Sequence, residues 1–272
     1  MTNSVKTFTL FVRPDDISQQ IAHTLRQLNA KSTLPLKECS NGDLVIAIGG
    51  DGTFIDAVTR TNFSKDKVYT GIHTGTLGFL QDLSANDIYS LIQYIHYEPC
   101  LPVRKVYVAL VKVFLADGTV LSYFSLNEVL VAGEAYSKIS FAEYINEELL
   151  QKISGNGIIV ATSAGDTAYS LNANGAIDFS SNFQLVCTLE VPIRNAAYER
   201  FITNPIICSH INIVLEPANN ICVIIDGIRQ NINSKDIRRV EVSMTDNSNY
   251  INKLELISYS KVSIIRNKIL GY

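Results

Sequence analysis

The chain has 272 residues, of which 47% are hydrophobic and 18% charged, and its formal net charge is −3. This composition excludes a disordered chain, and the length favours one large domain or two modest ones. The small acidic excess argues against a domain that wraps nucleic acid, and no apolar stretch is long enough for a membrane helix. We therefore expect neither a nucleic-acid partner nor a membrane partner.

The first hundred residues alternate between strand and helix patterns. Continuous apolar strands between amphipathic helices predict an α/β domain with a mainly parallel sheet covered on both faces. We place this domain at residues 1–98. The predicted strands are 7–12, 44–48 and 68–73, and the predicted helices run from Asp15 or Asp16 to about Leu28, over 54–61 and over 85–97. The first helix has its apolar stripe at Ile17, Ile21, Leu25 and Leu28.

After Pro102 the pattern changes to long strands with short turns. This predicts a β-rich antiparallel domain over 99–251, interrupted by one helix from about Asp166 to Gly175. The last strand-like segment, 254–265, is a candidate to return to the first domain, which would then include 252–272. The other predicted strands are 106–114, 120–131, 139–145, 149–153, 184–190, 206–215, 221–226 and 239–244.

Five scattered cysteines without a Cys-x-x-Cys pair are typical of reduced thiols in a cytoplasmic protein. The N-terminal residues are interpreted as the first strand, because they have no cleavage pattern of a signal peptide. Both observations favour a cytoplasmic location.

The strongest local motif is Gly49-Gly50-Asp51-Gly52-Thr53, which follows an apolar strand directly. Glycines allow the backbone to approach a bulky anion, and free N–H groups at a helix start favour phosphate. A carboxylate at this place repels phosphate unless it handles a cation or accepts a proton, and phosphoryl transfer requires both. Asp51 is therefore a candidate catalytic residue; the alternative is that it only caps the following helix.

This loop resembles that of the superfamily of NAD kinases, diacylglycerol-type lipid kinases and 6-phosphofructokinases. Further segments are similar to NAD kinases and follow that family's order. They are GIHTGTLGFL at 71–80, Asn127-Glu128, GNGIIVATSAGDTAYSLNANG at 155–175 and Ile225-Asp226-Gly227.

The resemblance implies an α/β domain and a β-rich domain with NAD bound in the cleft between them. It implies phosphoryl transfer from ATP or polyphosphate to the 2′-hydroxyl of the adenosine ribose of NAD, which yields NADP. Mg²⁺ or another divalent cation would lie on the donor phosphates, without a direct protein ligand. The family also implies a homo-oligomer, a homotetramer or a homodimer.

The resemblance also implies roles for individual residues. Asp51 would act on the ribose hydroxyl, and Gly52 would contact phosphate beside Gly49, Gly50 and Thr53. The implied NAD-binding residues are Asn127, Glu128, Asn156, Ala164, Thr167, Ala168, Tyr169 and Asp226. A helix that starts at Asp166 or Thr167 would also direct its N-terminal N–H groups at the ligand.

The chemistry of the side chains agrees with the roles that the resemblance implies for Asn127 and Glu128. An amide such as that of Asn127 can pair with an adenine edge, and a carboxylate such as that of Glu128 can accept hydrogen bonds from ribose hydroxyls. Asp226 is either a site carboxylate or only the first residue of a hairpin turn.

The sequence departs from the family at five places, two of which are Ser163 for the proline and Ala164 for the next hydroxyl of the family's Thr-Pro-Thr-Gly. The usual Gly-Asp-Gly is Gly155-Asn156-Gly157, Ser154 stands where relatives often carry Arg, and Asp166 replaces a hydroxyl. Replacing Asn156 by Asp is expected to tighten NAD binding, unless Asn156 only closes a turn that needs a positive φ. A catalytically weakened NAD(P)-binding regulator and a lipid kinase are the alternatives to an NAD kinase.

Overall fold

The computed structural model describes residues 5–75, 77–97, 101–180, 184–193, 201–217, 220–244 and 249–271. The chain forms two compact units, Met1–Val106 with Tyr250–Tyr272, and Tyr107–Asn249. The predicted boundary at 98/99 lies outside the described residues. Within the described ranges, no helix has the length and apolar character needed to span a membrane.

The strands, in chain order, are β1 (Thr7–Val12), β2 (Lys37–Glu38), β3 (Leu44–Gly49), β4 (Val68–His73), β5 (Val103–Tyr107), β6 (Ala109–Leu115), β7 (Val120–Ser125), β8 (Glu128–Gly133), β9 (Ile139–Ile145), β10 (Glu148–Gly155), β11 (Gly157–Thr162), β12 (Leu185–Glu190), β13 (Ile206–Cys208), β14 (His210–Leu215), β15 (Ile221–Ile225), β16 (Ile228–Arg229), β17 (Ile237–Ser243) and β18 (Tyr250–Leu254). The helices are α1 (Asp16–Ala30), α2 (Asp51–Arg60), α3 (Ile88–Tyr97), α4 (Tyr169–Asn172) and α5 (Lys261–Ile265), and Arg266–Leu270 continues α5 as a π-helical segment.

The first unit contains one sheet with the order β2-β1-β3-β4-β18-β5. β1 pairs in parallel with β2 and β3, and β4 pairs in parallel with β3 and β18. Every residue of β3 is buried, as expected for a strand that is covered on both faces. The predicted α/β domain with a mainly parallel sheet is confirmed.

The predicted apolar stripe of α1 was wrong at Ile17, which is 56% exposed. Asp15 caps this helix by accepting a hydrogen bond from the Ser18 N–H. The buried residues of α1 include Ser18, Ala22 and Leu25, so the buried face is centred about one residue later than predicted. Ile17 therefore lies at the solvent edge of the stripe.

The predicted strand over 254–265 was also wrong. β18 ends at Leu254, and its partner is β4, with Asn252 opposite Val68. The residues from Lys261 onward are helical, because the Ser260 hydroxyl accepts a hydrogen bond from the Ser263 N–H and caps α5.

The second unit contains two antiparallel sheets, with the orders β10-β9-β14-β17-β6-β7 and β13-β12-β11-β8-β15-β16. Their buried side chains form one apolar core, in which Val111, Val131, Val160, Ile211 and Val240 are fully buried. The predicted β-rich antiparallel domain is confirmed.

Two predicted strands are interrupted in this unit. The 120–131 segment is divided into β7 and β8, which belong to different sheets. The division falls at Leu126 and Asn127, whose backbone N–H groups donate to the Asp226 carboxylate and not to a neighbouring strand. The 206–215 segment is likewise divided at Ser209.

The helix predicted from Asp166 to Gly175 is reduced to the four residues of α4. Its N-cap is Ala168, without a side-chain cap. The Asp166 carboxylate is fully buried and accepts a hydrogen bond from the Asp178 N–H at 2.6 Å. Because Asp166 holds another segment, the helix starts three residues later than predicted.

Candidate functional site

The phosphate loop connects β3 to α2. Gly49 has φ +154°, and a Cβ there would lie 2.4 Å from the Thr53 Oγ1, so the position requires glycine. Gly50 is the N-cap of α2 and Asp51 is the first residue of the helix. The interpretation of Asp51 as a simple helix cap is therefore wrong.

The carboxylate of Asp51 binds a neighbouring loop instead. Oδ1 accepts a hydrogen bond from the Leu80 N–H and Oδ2 accepts one from the Phe79 N–H, both at 3.0 Å. The Nζ of Lys268 donates to Oδ2 at 3.1 Å. A Cβ on Gly78 would lie 2.3 Å from Oδ1, so any larger residue there would have to displace this carboxylate. The glycine-rich 71–80 segment thus fixes the orientation of Asp51; its residue Thr76 lies outside the described residues.

The residue that follows this segment, Gln81, also contacts the phosphate loop. The Gln81 amide Nε2 donates to the Gly50 carbonyl at 2.7 Å. A Cβ on Gly71 would lie 2.5 Å from the Gln81 Cγ, which explains the glycine in β4. The Nδ1 of the His73 ring in this segment lies 2.8 Å from the Gly75 carbonyl oxygen, and the His73 N–H donates to the Leu83 carbonyl at 2.7 Å. Close packing at Gly71 and Gly78 and the side-chain amide of Gln81 therefore position the phosphate loop and Asp51.

A buried ion pair lies near Asp51. Lys253 on β18 donates to the Asp82 Oδ2 at 2.5 Å, and the Lys253 side chain is 1% exposed. Burial lowers the pKa of Lys253 to about 8, while the negative charges of Asp82 and Asp51 act in the opposite direction. The pair joins β18 to the residues directly after the 71–80 segment that orients Asp51.

An open cavity of about 620 Å³ runs along α2. Its lining includes Gly52 and Thr53 of the phosphate loop and the side chains of Arg13 and Arg60. A Cβ on Gly52 would meet nothing within 4 Å, so this residue faces open space. The N–H groups at the N-terminus of α2 favour an anion here, whereas Arg13 and Arg60 are paired with Asp15 and Asp56.

In the second unit, the Asp226 carboxylate binds the backbone where the chain passes from β7 to β8. We call residues 125–128 the corner. The Asp226 carboxylate accepts hydrogen bonds from the Ser125 hydroxyl and from the N–H groups of Leu126, Asn127 and Glu128, at 2.7 to 3.2 Å. Asp226 has φ 49° and begins the turn from β15 to β16. The interpretation of Asp226 as the first residue of a turn is confirmed, and its carboxylate is occupied by groups of the chain itself.

The corner that Asp226 holds presents two buried polar atoms without a partner. The Oδ1 of Asn127 and the Oε2 of Glu128 have no hydrogen-bond partner within the described part of the chain. A buried polar atom that lacks a partner is costly, so such atoms indicate a missing ligand or water. Gly165 packs on this corner, since a Cβ there would lie 2.2 Å from the Asn127 carbonyl oxygen.

The protonation of Glu128 is shifted. Burial, with a smaller contribution from the negative charge of Asp226, raises the pKa of Glu128 to about 7. Desolvation disfavours a charged carboxylate unless a hydrogen-bond donor compensates it. A ligand hydroxyl at Oε2 would be such a donor.

The remaining predicted NAD-binding residues follow β11. The Ala164 N–H donates to the Thr162 Oγ1 at 3.1 Å, and Ala168 donates to the Gly165 carbonyl at 2.9 Å, so the segment is a series of turns. Thr167 is buried. The Tyr169 hydroxyl donates to Glu190 at 2.5 Å, and this bond is the main cause that raises the pKa of Tyr169 to about 12. The predicted helix start at Asp166 or Thr167, which would direct N-terminal N–H groups at the ligand, is not formed, because α4 begins only at Tyr169.

Asn156 lies at the junction of β10 and β11. Its Nδ2 donates to the Tyr136 carbonyl at 2.8 Å. Asn156 is not among the described residues with positive φ, so the idea that it serves a left-handed turn is wrong. Ser154, at the position of the expected Arg, is fully buried and its hydroxyl bonds to the Ser140 hydroxyl at 2.8 Å.

Sequence reasoning missed the residues that surround Asp51. Lys268, Lys253 and Gln81 contact the loop or its support only because distant segments converge on the end of β3. Glu190, the partner of Tyr169, was missed for the same reason. Over the residues that are described, no group of three or more His, Cys, Asp or Glu side chains could hold a metal ion.

A parallel sheet that ends in a glycine-rich loop, with an oriented carboxylate at the next helix, is the organisation of a phosphotransferase domain. Comparison with known proteins makes the class more specific. The model of the ATP-NAD kinase N-terminal domain matches residues 8–98, and that of the ATP-NAD kinase C-terminal domain matches residues 126–254.

Individual relatives agree with this match. The NAD kinase of Finegoldia magna is 27% identical over 263 residues, which cover 93% of this chain and 94% of that protein. NAD kinase 1 of Oceanobacillus iheyensis is 32% identical over 201 residues, or 74% of each chain. The crystal structure of yeast NADH kinase complexed with NADH has the same fold, with a TM-score of 0.85, 17% identity and coverage of 99% of this chain and 88% of that one. The chain belongs to the NAD kinase family.

Proposed function

We propose that this protein is an NAD kinase, which transfers a phosphoryl group from ATP to the 2′-hydroxyl of the adenosine ribose of NAD and forms NADP. The observation that carries the proposal is the pair of buried polar atoms without a partner, Asn127 Oδ1 and Glu128 Oε2. They occupy the Asn-Glu motif of the family, and an amide oxygen and a carboxylate suit an adenosine. The family match and the NAD kinase relatives support the same activity.

The proposed chemistry assigns the proton transfer to Asp51. The ribose 2′-oxygen forms a bond to the γ-phosphorus as the bond from that phosphorus to the β-phosphate oxygen breaks, and the bond electrons leave with ADP. The hydroxyl proton passes to the Asp51 carboxylate. Hydrogen bonds from Phe79 and Leu80 orient this carboxylate before the substrate arrives, and such orientation is the main protein contribution to phosphoryl transfer.

The phosphate loop would receive the donor. We propose that Gly49, Gly50, Gly52 and Thr53 bind donor phosphates through backbone groups, with the cavity along α2 as the adjacent space. A divalent cation such as Mg²⁺ would neutralise the donor phosphates, as phosphoryl transfer generally requires. ATP is the proposed donor because the family models carry it in their description; polyphosphate is the alternative.

The other NAD-binding residues proposed from the sequence lie around the same strands of the second unit. Ala164, Thr167, Ala168 and Tyr169 follow the end of β11, and Ala161 of that strand pairs with Glu128 of β8. Asp226 would contribute indirectly, by holding the Asn127–Glu128 corner. Asn156 would use the Oδ1 of its amide, since Nδ2 already has an acceptor.

One assay separates these proposals. Purified protein is incubated with NAD, ATP and Mg²⁺, and NADP is measured with an NADP-specific dehydrogenase. Parallel reactions replace NAD by NADH or ATP by polyphosphate; a further reaction replaces NAD by diacylglycerol and is followed by ADP release, and NADP binding is measured by calorimetry. NADP formation that needs both NAD and ATP supports the proposal. Phosphorylation of diacylglycerol alone, or NADP binding without any turnover, would instead support the lipid kinase or the weakened regulator, neither of which the comparisons favour.

We also propose a cytoplasmic homo-oligomer, a homotetramer or a homodimer. The cysteines that are described, Cys39, Cys187, Cys208 and Cys222, are free, as in a reducing compartment. Leu149 and Leu150 on β10 are 50% and 42% exposed, which offers apolar surface for a second copy. Light scattering of the eluted protein measures the oligomer; a monomeric mass would contradict it.

A further inference from the structure

Lys268 contacts the phosphate loop and lies outside the residues that the family models match. The match to the family models ends at residue 254. The helical residues Lys261–Ile265 and Arg266–Leu270 follow, with Ile264 and Ile265 buried. The helical segment is thus anchored by apolar packing, and it carries Lys268 to a defined position.

Two contacts hold the ammonium group of Lys268. Its Nζ lies 3.1 Å from the Asp51 Oδ2 and 4.5 Å from the centre of the Phe79 ring. A cation over an aromatic face is attracted independently of the carboxylate. The side chains of Lys268 and Asp51 are 29% and 24% exposed, so solutes can reach the pair.

The phosphate loop itself contains no lysine. Loops of the Walker type carry Gly-Lys-Ser/Thr, whose lysine contacts the β- and γ-phosphates, and this sequence has no such tripeptide. Lys253 cannot serve, because it is 1% exposed and paired with Asp82. Arg13 also has other partners near the loop, Asp15 and Thr74.

We infer that Lys268 binds the phosphoryl group in transfer, and so supplies from the C-terminal helical segment the cation that the loop lacks. This inference rests on the proposed kinase function. The carboxylate of Asp51 must touch the ribose hydroxyl that attacks the phosphorus, so a cation 3.1 Å from that carboxylate lies close to the phosphoryl oxygens. An ammonium group has three N–H donors. One N–H group can remain hydrogen-bonded to Asp51 while the other two bind the phosphoryl group. The ammonium charge then reduces the repulsion between the Asp51 carboxylate and the phosphoryl oxygens.

The test compares Lys268→Gln and Lys268→Arg with the wild type, with Lys31→Gln as a matched control on an exposed lysine of unit one. We expect Lys268→Gln to lower kcat/KM for ATP about 100-fold, the size of losing one charge-stabilising donor, with an unchanged dissociation constant for NAD. Lys268→Arg should recover part of the activity, and Lys31→Gln should match the wild type. Urea unfolding of each variant shows whether the C-terminal segment has kept its fold.

Calorimetric titration of ATP with Mg²⁺ gives a second readout that does not depend on turnover. Weaker ATP binding in Lys268→Gln, with wild-type unfolding, supports the inference. Wild-type kcat/KM and wild-type ATP binding in Lys268→Gln would overturn it, as would a loss that Lys268→Arg does not relieve at all. Failure of the wild type to form NADP would overturn the kinase function separately, and the ATP titration would still decide on Lys268.

Discussion

Gly78 lies directly against Asp51: a Cβ on Gly78 would be 2.3 Å from the Asp51 Oδ1. This contact accompanies the hydrogen bonds from the N–H groups of the next two residues, Phe79 and Leu80, to the same carboxylate. The loop and the carboxylate therefore define each other's position. A substitution in the 71–80 segment should therefore change the position of the Asp51 carboxylate, although Asp51 itself is unchanged.

The first prediction concerns Gly78→Ala. The added methyl group must displace the Asp51 carboxylate, because real Cβ atoms do not approach other atoms to 2.3 Å. A small misplacement of a catalytic group can lower the rate about 100-fold, so we expect kcat to fall by that order. Gly75→Ala is the matched control, since a Cβ there meets nothing within 4 Å. Equal kcat values for the two variants would contradict the prediction.

The second prediction concerns Asp51→Asn. Loss of the proton acceptor should lower kcat by about 10²–10⁴-fold. The structure adds a second effect, because the amide NH₂ cannot accept from Phe79 or Leu80. An N–H group left without its acceptor costs about 1–3 kcal/mol, so the free energy of unfolding should fall as well. Urea denaturation beside steady-state kinetics measures both; wild-type turnover would remove Asp51 from the mechanism.

The third prediction uses the pKa of Glu128, raised from 4.5 to about 7 by burial and by Asp226. The folded state then holds this proton more tightly than the unfolded state. Its contribution to stability is present below about pH 4.5 and is lost as the pH rises to about 7. Glu128→Gln keeps a neutral side chain at every pH. Between pH 5 and 8 it should gain about 2 kcal/mol relative to the wild type in urea unfolding; a constant difference would show that the pKa is not raised.

Glu128 also gives a fourth prediction, on NAD affinity. A ribose hydroxyl that donates to Oε2 favours the charged carboxylate, so NAD binding should become tighter in the wild type as the pH rises from 6 to 8. In Glu128→Gln the affinity should be weaker and independent of pH over this range. Calorimetric titrations at both pH values decide this. The same pH dependence in both proteins would assign the effect to another group.

The fifth prediction concerns Asn156→Asp, which the sequence alone predicts to tighten NAD binding. In the structure the Asn156 Nδ2 donates to the Tyr136 carbonyl at 2.8 Å, and a carboxylate oxygen there would face another acceptor. Because this hydrogen bond is exposed, we expect the free energy of unfolding to fall by about 0.5–1.5 kcal/mol. An unchanged unfolding curve would contradict this. An NAD titration of the same variant tests the ligand role: tighter binding supports it, and equal affinities assign Asn156 to the fold.

Local patterns were sufficient for much of the fold. β1 and β4 have the predicted bounds, because short runs rich in β-branched and aromatic residues favour strands. The predictions failed where a distant side chain intervened. Strand 120–131 is divided because the Asp226 carboxylate, about 100 residues away, binds the backbone at Leu126 and Asn127.

The sequence by itself determined the phosphate loop, the order of the family motifs and the two fold classes, because each of these depends on neighbours in the chain. Only the tertiary structure decided what each carboxylate does. Asp51, Asp226 and Asp166 each stand beside a glycine in a candidate site motif, yet Asp51 is oriented by a loop and paired with Lys268, whereas Asp226 and Asp166 hold backbone segments. The physical reason is that a carboxylate's role depends on the donors around it, and these come from segments far away in the chain.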